Sequence, residues 1–145
     1  MEHLRSQQVR LRDARLEGAA DDVELDVYKR QQIQFTIDDP GRADGIIGRL
    51  LEDRLVACGQ RLGPVVSRYW WEGALERAEE WLVLVKTRGD LATAAMDAVV
   101  AAHPYATPEV VVLALAAGSP GYLSWIDSVT VRAGTIGQAD DPEER

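Results

Sequence analysis

The alternation of apolar and polar residues becomes regular after about residue 32. Ile33, Phe35 and Ile37 alternate with Gln34 and Thr36. A period of two residues places successive side chains on opposite faces of a strand. We therefore expect the first β-strand here.

A helix is predicted directly after this strand. Asp38-Asp39-Pro40 supplies an acidic N-cap residue followed by proline, which favours the first helical position. Apolar residues then recur at helical spacing on one face, at Ile46, Ile47, Leu50, Leu51 and Leu55. We expect the helix to run from about Gly41 to Ala57.

The next two segments predict a β-hairpin. A β-like stretch from Cys58 to Trp70 is interrupted by Gly63-Pro64, which indicates a bulge or bend. Glu72-Gly73-Ala74 is typical of a turn. The stretch from Trp81 to Thr87, WLVLVKT, is apolar on both faces and predicts the returning strand.

The second half of the chain predicts two further helices and one or two strands. Asp90 is the expected N-cap of a helix that ends at His103-Pro104, because proline disfavours helix at the preceding residue. Glu109 to Leu115 is almost wholly apolar and predicts a strand buried on both faces. Ser119-Pro120 opens a short helix, and a short final strand is expected at Val129 to Val131.

The order of elements is β-α-β-β-α-β with an added C-terminal helix. This order predicts an α+β fold, a ferredoxin-like sandwich with an antiparallel sheet and helices on one face. Trp81, Val83 and Val85 fall on one face of their strand, and Leu82 and Leu84 fall on the other. Two helices cover only one face, so we expect the second face to pack against another subunit.

The two ends of the chain differ from this core. Residues 1–31 lack a strong apolar face, and residues 26–31 (DVYKRQ) match the translation of a transposon adapter used in sequencing libraries. We expect residues 1–31 to be either an artefactual leader carrying an assembly scar or a weakly ordered natural extension. The folded domain is predicted at 32–132, and 133–145 is predicted to be a disordered acidic tail.

Composition narrows the class of protein. The chain has 145 residues, enough for one domain, and a net charge of −8 with no basic cluster, which argues against nucleic acid binding. No apolar run approaches the length that spans a bilayer. Cys58 is the only cysteine, which fits a reducing compartment, so we expect a cytoplasmic protein. No catalytic motif stands out, and we expect no enzyme activity.

Three motifs carry a family resemblance. They occur in fixed order as LEDRLVAC at 51–58, SRYWWEG at 67–73 with VKT at 85–87, and HPYATPE at 103–109 with YLSWI at 122–126. With these motifs the chain resembles the CutA divalent-cation-tolerance family over about residues 33–130. The resemblance implies a ferredoxin-like subunit similar in architecture to the PII signalling proteins. It also implies a tight homotrimer with a role in tolerance to divalent metal ions.

The resemblance further implies a candidate metal site for copper or another divalent cation. The family's copper ligands are a cysteine on the first strand and two adjacent histidines before Pro-Tyr. Phe35 and Ala102 occupy two of these positions here, so only His103 remains as a metal-ligand candidate, to be completed by copies of itself in a trimer. Alternatively, His103 caps the carboxyl end of the second helix. Cys58 is either a soft metal ligand or a small core residue.

A second candidate site is a cleft between subunits. Six residues match family positions around it: Tyr69, Trp71, Glu72, Lys86, Tyr105 and Glu109. Aromatic walls, two carboxylates and an ammonium can bind a small polar ligand, as in a PII-like sensor or scaffold. The same groups can equally lock a subunit interface. A more distant alternative is a hydrolase that uses Glu72 and Glu109 as an acid–base pair.

Overall fold

The computed structural model describes residues 29–130, and the predicted leader and acidic tail lie almost wholly outside this range. The elements in chain order are β1 (Arg30–Ile37), α1 (Pro40–Glu52), β2 (Cys58–Trp71), β3 (Ala74–Arg88), a single 3-10 turn (Gly89–Leu91), α2 (Ala92–Ala102), β4 (Val110–Ala114) and α3 (Pro120–Val129). The strands form one antiparallel sheet in the order β2-β3-β1-β4. This arrangement confirms the predicted α+β, ferredoxin-like fold.

The first strand begins slightly earlier than the sequence pattern indicates. Arg30 and Gln31 are already in β1, where they pair with Arg88 and Thr87 of β3. The predicted boundary at residue 32 therefore falls two residues inside the strand. The segment that matches the adapter translation contributes its last two residues to the sheet.

Helix α1 starts as predicted and ends sooner. The Asp39 carboxylate accepts a hydrogen bond from the Arg42 backbone N–H at 3.0 Å, and Pro40 takes the first helical position. The helix ends at Glu52 rather than Ala57, because Arg54 has a φ of 58°, in the left-handed region that a right-handed helix cannot continue through.

The core lies between the sheet and the first two helices. Side chains of β1 and β3 that point to the same face are fully buried, with Ile33, Phe35 and Ile37 from β1 and Val83 and Val85 from β3. The facing helices contribute Ala43, Ile46, Leu50, Ala95 and Val99. The period-two and helical patterns thus predicted most of the core, with the exception of Leu51, which is 39% exposed.

The hairpin is longer than predicted. β3 begins at Ala74 rather than at Trp81, and its first seven residues pair only with β2. We call this two-stranded extension, residues 65–80, the ribbon. Its turn holds Glu72 and Gly73 at φ of 48° and 79°, the positive values that a tight two-residue hairpin turn requires.

The bulge predicted at Gly63-Pro64 is confirmed by a shift in the β2–β3 register between Leu62 and Val65. Trp81 packs directly over this point. A Cβ atom at Gly63 would come within 2.5 Å of Trp81 Cδ1, so only glycine fits beneath the indole ring.

The start of α2 differs from the prediction, whereas its end agrees with it. Asp90 does not cap the helix: it lies in the 3-10 turn, and its carboxylate accepts a hydrogen bond from Arg88 Nη2 at 2.6 Å. Leu91 takes the N-cap position without a side-chain hydrogen bond. The helix ends at Ala102, and His103 is extended, as expected for the residue before a proline.

The second face of the sheet is only partly covered. Helix α3, which begins at Pro120 as predicted, lies over one end of it and binds Arg30 through Asp127 at 2.6 Å. Within the single chain, β4 is not buried on both faces as predicted. Among residues 29–130 it is an edge strand, and Val111 and Leu113 remain 42% and 44% exposed because no described element packs over them on the second face.

The end of the described region also departs from the sequence pattern. Val129 belongs to α3 and not to a final strand, and Val131 lies outside the described residues. Between residues 29 and 130, no helix has the length and apolar character needed to cross a membrane.

Candidate functional site

His103 is a buried residue with both ring nitrogens engaged. Its Nε2 lies 2.7 Å from the Thr36 carbonyl oxygen, and its Nδ1 lies 3.2 Å from the Tyr105 backbone nitrogen. A carbonyl only accepts and an amide N–H only donates, so Nε2 carries the proton and Nδ1 accepts. His103 is therefore held as the neutral tautomer with a proton on Nε2.

The position of His103 explains these contacts. β4 pairs with β1 only as far as Phe35, so the Thr36 carbonyl lies just past the end of the ladder. His103 supplies the hydrogen bond that a longer β4 would have supplied. Its ring also meets the rings of Phe35 and Tyr105 edge-on, at centroid distances of 6.1 and 4.5 Å.

Tyr105 reaches across the end of β1 to β3. Its hydroxyl donates a hydrogen bond of 3.0 Å to the Glu80 carboxylate, which is only 5% exposed. Burial raises the pKa of the Tyr105 phenol above its ordinary value, and the Glu80 carboxylate, with smaller effects from Asp38 and Tyr69, raises it further. Tyr105 is thus kept as a neutral hydrogen-bond donor.

Glu109 completes this group of residues. Its carboxylate accepts a hydrogen bond of 3.2 Å from the Thr36 hydroxyl, while most of the residue stays exposed. We call Thr36, Glu80, His103, Tyr105 and Glu109 the β1-end cluster. It contains three of the residues predicted from the sequence and two that the sequence analysis missed.

Glu80 is the most informative of the missed residues. It sits among Glu76, Arg77 and Glu79 in a polar stretch to which the sequence analysis assigned no element. Its hydrogen-bond partner Tyr105 arrives from a loop 25 residues away in the chain. No local pattern in the sequence marks such a contact.

The other cleft candidates lie elsewhere in the single chain. Lys86 is six residues along β3 from Glu80, about 20 Å at the usual rise of a strand, and its ammonium is 3.5 Å from Gln60 Oε1. Trp71 and Glu72 lie at the exposed tip of the ribbon. Within one chain, these residues do not form one pocket with the β1-end cluster.

Glu72 and Glu109 are also separated. Glu72 lies eight residues beyond Glu80, about 26 Å along the ribbon, whereas Glu109 contacts Thr36 at the base of the sheet. An acid–base pair must reach the same substrate atoms. The two carboxylates cannot do so within one chain.

Cys58 is half-buried under α3. Its Sγ lies 3.4 Å from the Tyr122 hydroxyl, and the thiol is free of any disulfide. Pairing of Cys58 with Lys86 puts both on the second face of the sheet. The contact with Tyr122 helps to anchor α3, which favours the structural interpretation of this cysteine.

The residues present do not fit the family's copper site. Phe35 is fully buried in the core, Ala102 offers no donor atom, and both His103 nitrogens already have hydrogen-bond partners. Among residues 29–130, no three His, Cys, Asp or Glu side chains are grouped closely enough to hold a metal ion. A copper ion at His103 would have to displace the Thr36 or the Tyr105 contact.

A four-stranded antiparallel sheet with helices packed on one face and the other face partly open defines the class of ferredoxin-like α+β proteins. Comparison with known proteins narrows this class. Residues 32–129 match the model of the family described as CutA1 divalent ion tolerance protein. The chain therefore belongs to the CutA1 divalent ion tolerance family.

Individual relatives agree with this assignment. The chain is 40% identical over 85 residues to the divalent-cation tolerance protein CutA of Archaeoglobus fulgidus, covering 59% of this chain and 82% of that protein. The crystal structure of CutA from Xylella fastidiosa is similar at a TM-score of 0.69 and 34% identity, covering 71% and 99% of the two chains. A structure of the Archaeoglobus fulgidus protein, described as periplasmic, has a TM-score of 0.67 and 36% identity and covers 69% and 97%.

Proposed function

We propose that the protein is a homotrimeric, non-enzymatic member of the divalent-cation tolerance system that works by binding. The observation that carries the proposal is the apolar second face of the sheet. Exposed or half-exposed side chains on this face are Leu62, Leu82, Leu84, Val111 and Leu113. Burying such a face against other copies of the chain is the physical reason to assemble.

Both edges of the sheet support assembly. Among residues 29–130, β2 pairs only with β3 and β4 pairs only with β1, so each has an outer side that no described strand pairs with. Open edges of this kind accept a strand from another chain. The choice of three copies follows the family resemblance, and a closed ring of three leaves no edge free.

The proposed interaction with cations does not involve a copper ion bound at His103. Both His103 nitrogens bond to the protein, and the family's other two ligand positions hold Phe35 and Ala102. We propose instead that divalent ions bind this chain more weakly than at a copper centre, attracted by its net charge of −8. We also propose a cytoplasmic location, supported by the single cysteine.

A pair of matched variants tests the assembly. Leu113→Glu puts a charge on the second face, and Val100→Glu puts the same charge at a similarly exposed position on α2. We expect Leu113→Glu to reduce the mass in light scattering toward 16.0 kDa, and Val100→Glu to keep the mass of the wild type. If both variants keep the wild-type mass, the second face is not the interface.

A second candidate function is binding of a small ligand or protein at clefts between subunits, as in a PII-like sensor. It is favoured by the contact of Tyr105 with buried Glu80, and Tyr69 adds slightly to the raised pKa of the Tyr105 phenol. Lys86 could join this group only from a neighbouring copy. A thermal-shift screen of polar metabolites tests it: a true ligand raises the wild-type midpoint and loses its effect in Lys86→Gln.

A further inference from the structure

Two arginines face each other across the ribbon. The β2–β3 register pairs Arg68 directly with Arg77, and both residues are exposed. Directly opposed residues of an antiparallel pair point to the same face, with Cβ atoms about 5 Å apart. Two positive charges in this arrangement repel each other and destabilise the hairpin unless an anion lies between them.

The described chain does not provide that anion. Four other arginines each contact an aspartate carboxylate at 3.2 Å or less: Arg30, Arg49, Arg61 and Arg88. Neither Arg68 nor Arg77 has a carboxylate within 4.0 Å among residues 29–130. Glu79, which lies two residues from Arg77 on the same face of β3, makes no ion pair with either of them.

The face on which the two arginines lie keeps them accessible. Alternation along β3 puts Arg77 on the same side as Trp81 and Val83, which is the side that carries the helices. The proposed trimer buries the opposite side, where Leu82 and Leu84 lie. Assembly through the second face therefore leaves the arginine pair open to solvent.

An apolar platform adjoins the pair. Trp70 and Leu75 form a pair two residues closer to the tip of the ribbon, on the same face as the arginines, and they are 71% and 68% exposed. Guanidinium groups bind phosphate and carboxylate through two parallel hydrogen bonds, and an indole ring offers a flat surface for a planar or apolar group.

We propose that Arg68 and Arg77 form an oxyanion site that binds the phosphate or carboxylate group of a small ligand, whose planar or apolar part packs on Trp70. The site uses the guanidinium forks for the charge and the indole for the rest of the ligand. It shares the ribbon with the cleft candidates Tyr69 and Trp71 but lies on the opposite face, because successive residues of a strand point to opposite sides.

Titration calorimetry of the wild-type protein at low ionic strength tests the site with two probes, pyrophosphate and citrate. Heat from pyrophosphate alone identifies a phosphate ligand, and heat from citrate alone identifies a carboxylate ligand. We expect Arg68→Gln and Arg77→Gln each to weaken binding about tenfold, since each removes charged hydrogen bonds. The matched control is Arg49→Gln, which removes the same charge at an arginine already paired with Asp53.

Two results would overturn the proposal. One is the absence of heat from both probes at millimolar concentration. The other is an equal loss of affinity in Arg49→Gln, which would mean that the anion responds only to the overall charge of the protein.

Thermal unfolding gives an independent readout. Without added anion at low salt, Arg77→Gln relieves the repulsion and should unfold at a higher temperature than the wild type. Added pyrophosphate or citrate should then stabilise the wild type more than the variant. A variant that melts below the wild type in the absence of anion contradicts the unbalanced charge from which the site is inferred.

Discussion

Replacing His103 by alanine removes a buried ring that satisfies two backbone groups. The Thr36 carbonyl loses its 2.7 Å hydrogen bond to Nε2, and the Tyr105 N–H loses its 3.2 Å bond to Nδ1. The edge-on contacts with the Phe35 and Tyr105 rings are lost as well. We therefore expect His103→Ala to be strongly destabilising although it touches no metal.

The magnitude follows from the two unsatisfied groups. Leaving a buried backbone group unpaired costs about 1–3 kcal/mol, and the Tyr105 amide, being only partly buried, falls at the low end because water can reach it. We expect the free energy of unfolding to fall by about 2–4 kcal/mol in total. His103→Gln keeps an amide donor for Thr36 and should lose about 1 kcal/mol less than alanine does.

Urea unfolding at a fixed protein concentration measures these changes, because the stability of an assembled protein depends on concentration. Thr93→Ala, at an exposed position of α2, is the control and should stay within about 0.5 kcal/mol of the wild type. If His103→Ala is as stable as Thr93→Ala, the inference that His103 stabilises the end of β1 through its hydrogen bonds is refuted.

Three further predictions follow from individual contacts. Gly63→Ala forces its Cβ to within 2.5 Å of Trp81 and should lower the free energy of unfolding by about 1–3 kcal/mol. Gly48→Ala, in the middle of α1 with nothing within 4 Å of its Cβ, should raise it by about 0.5–1 kcal/mol. Equal urea midpoints for the two variants would contradict the close approach of Gly63 to Trp81. The raised pKa of Tyr105 means that the folded state holds its proton more tightly than the unfolded chain, so this contribution to stability is complete below pH about 10 and is lost as the pH rises further. Tyr105→Phe should flatten that alkaline decline, and an unchanged pH profile of the unfolding free energy would count against it. Copper titration by calorimetry should give the same heats for wild type and His103→Gln; a saturable heat that vanishes in the variant would restore a copper role for His103.

Local chemistry made much of the fold predictable. Asp39-Pro40 predicted the start of α1, and Gly63-Pro64 predicted the bulge, because each acts through the backbone of its immediate neighbours. The alternation in β1 predicted which side chains fill the core. These features depend on a few residues that are close in sequence.

The misses depend on distant partners. The polar stretch Ala74–Glu80 becomes a strand only because β2 pairs with it. Asp90 fails to cap α2 because Arg88 takes its carboxylate. The apolar pattern of β4 predicted burial on both faces, which is wrong for the described chain because β4 is an edge strand with exposed side chains.

The candidate sites were predictable to a similar degree. The resemblance pointed to Tyr105, His103 and Glu109, and the fold brings these three to one end of β1. It did not reveal that both nitrogens of His103 are committed, since the Thr36 carbonyl is 67 residues away in the chain. Glu80 was missed for the same reason.

The central claim is that the open face of the sheet is buried against copies of the same chain. Sedimentation of the wild-type protein at micromolar concentration tests it most directly. The account predicts a single species of three 16.0 kDa chains, about 48 kDa. A well-folded particle of 16.0 kDa would contradict it.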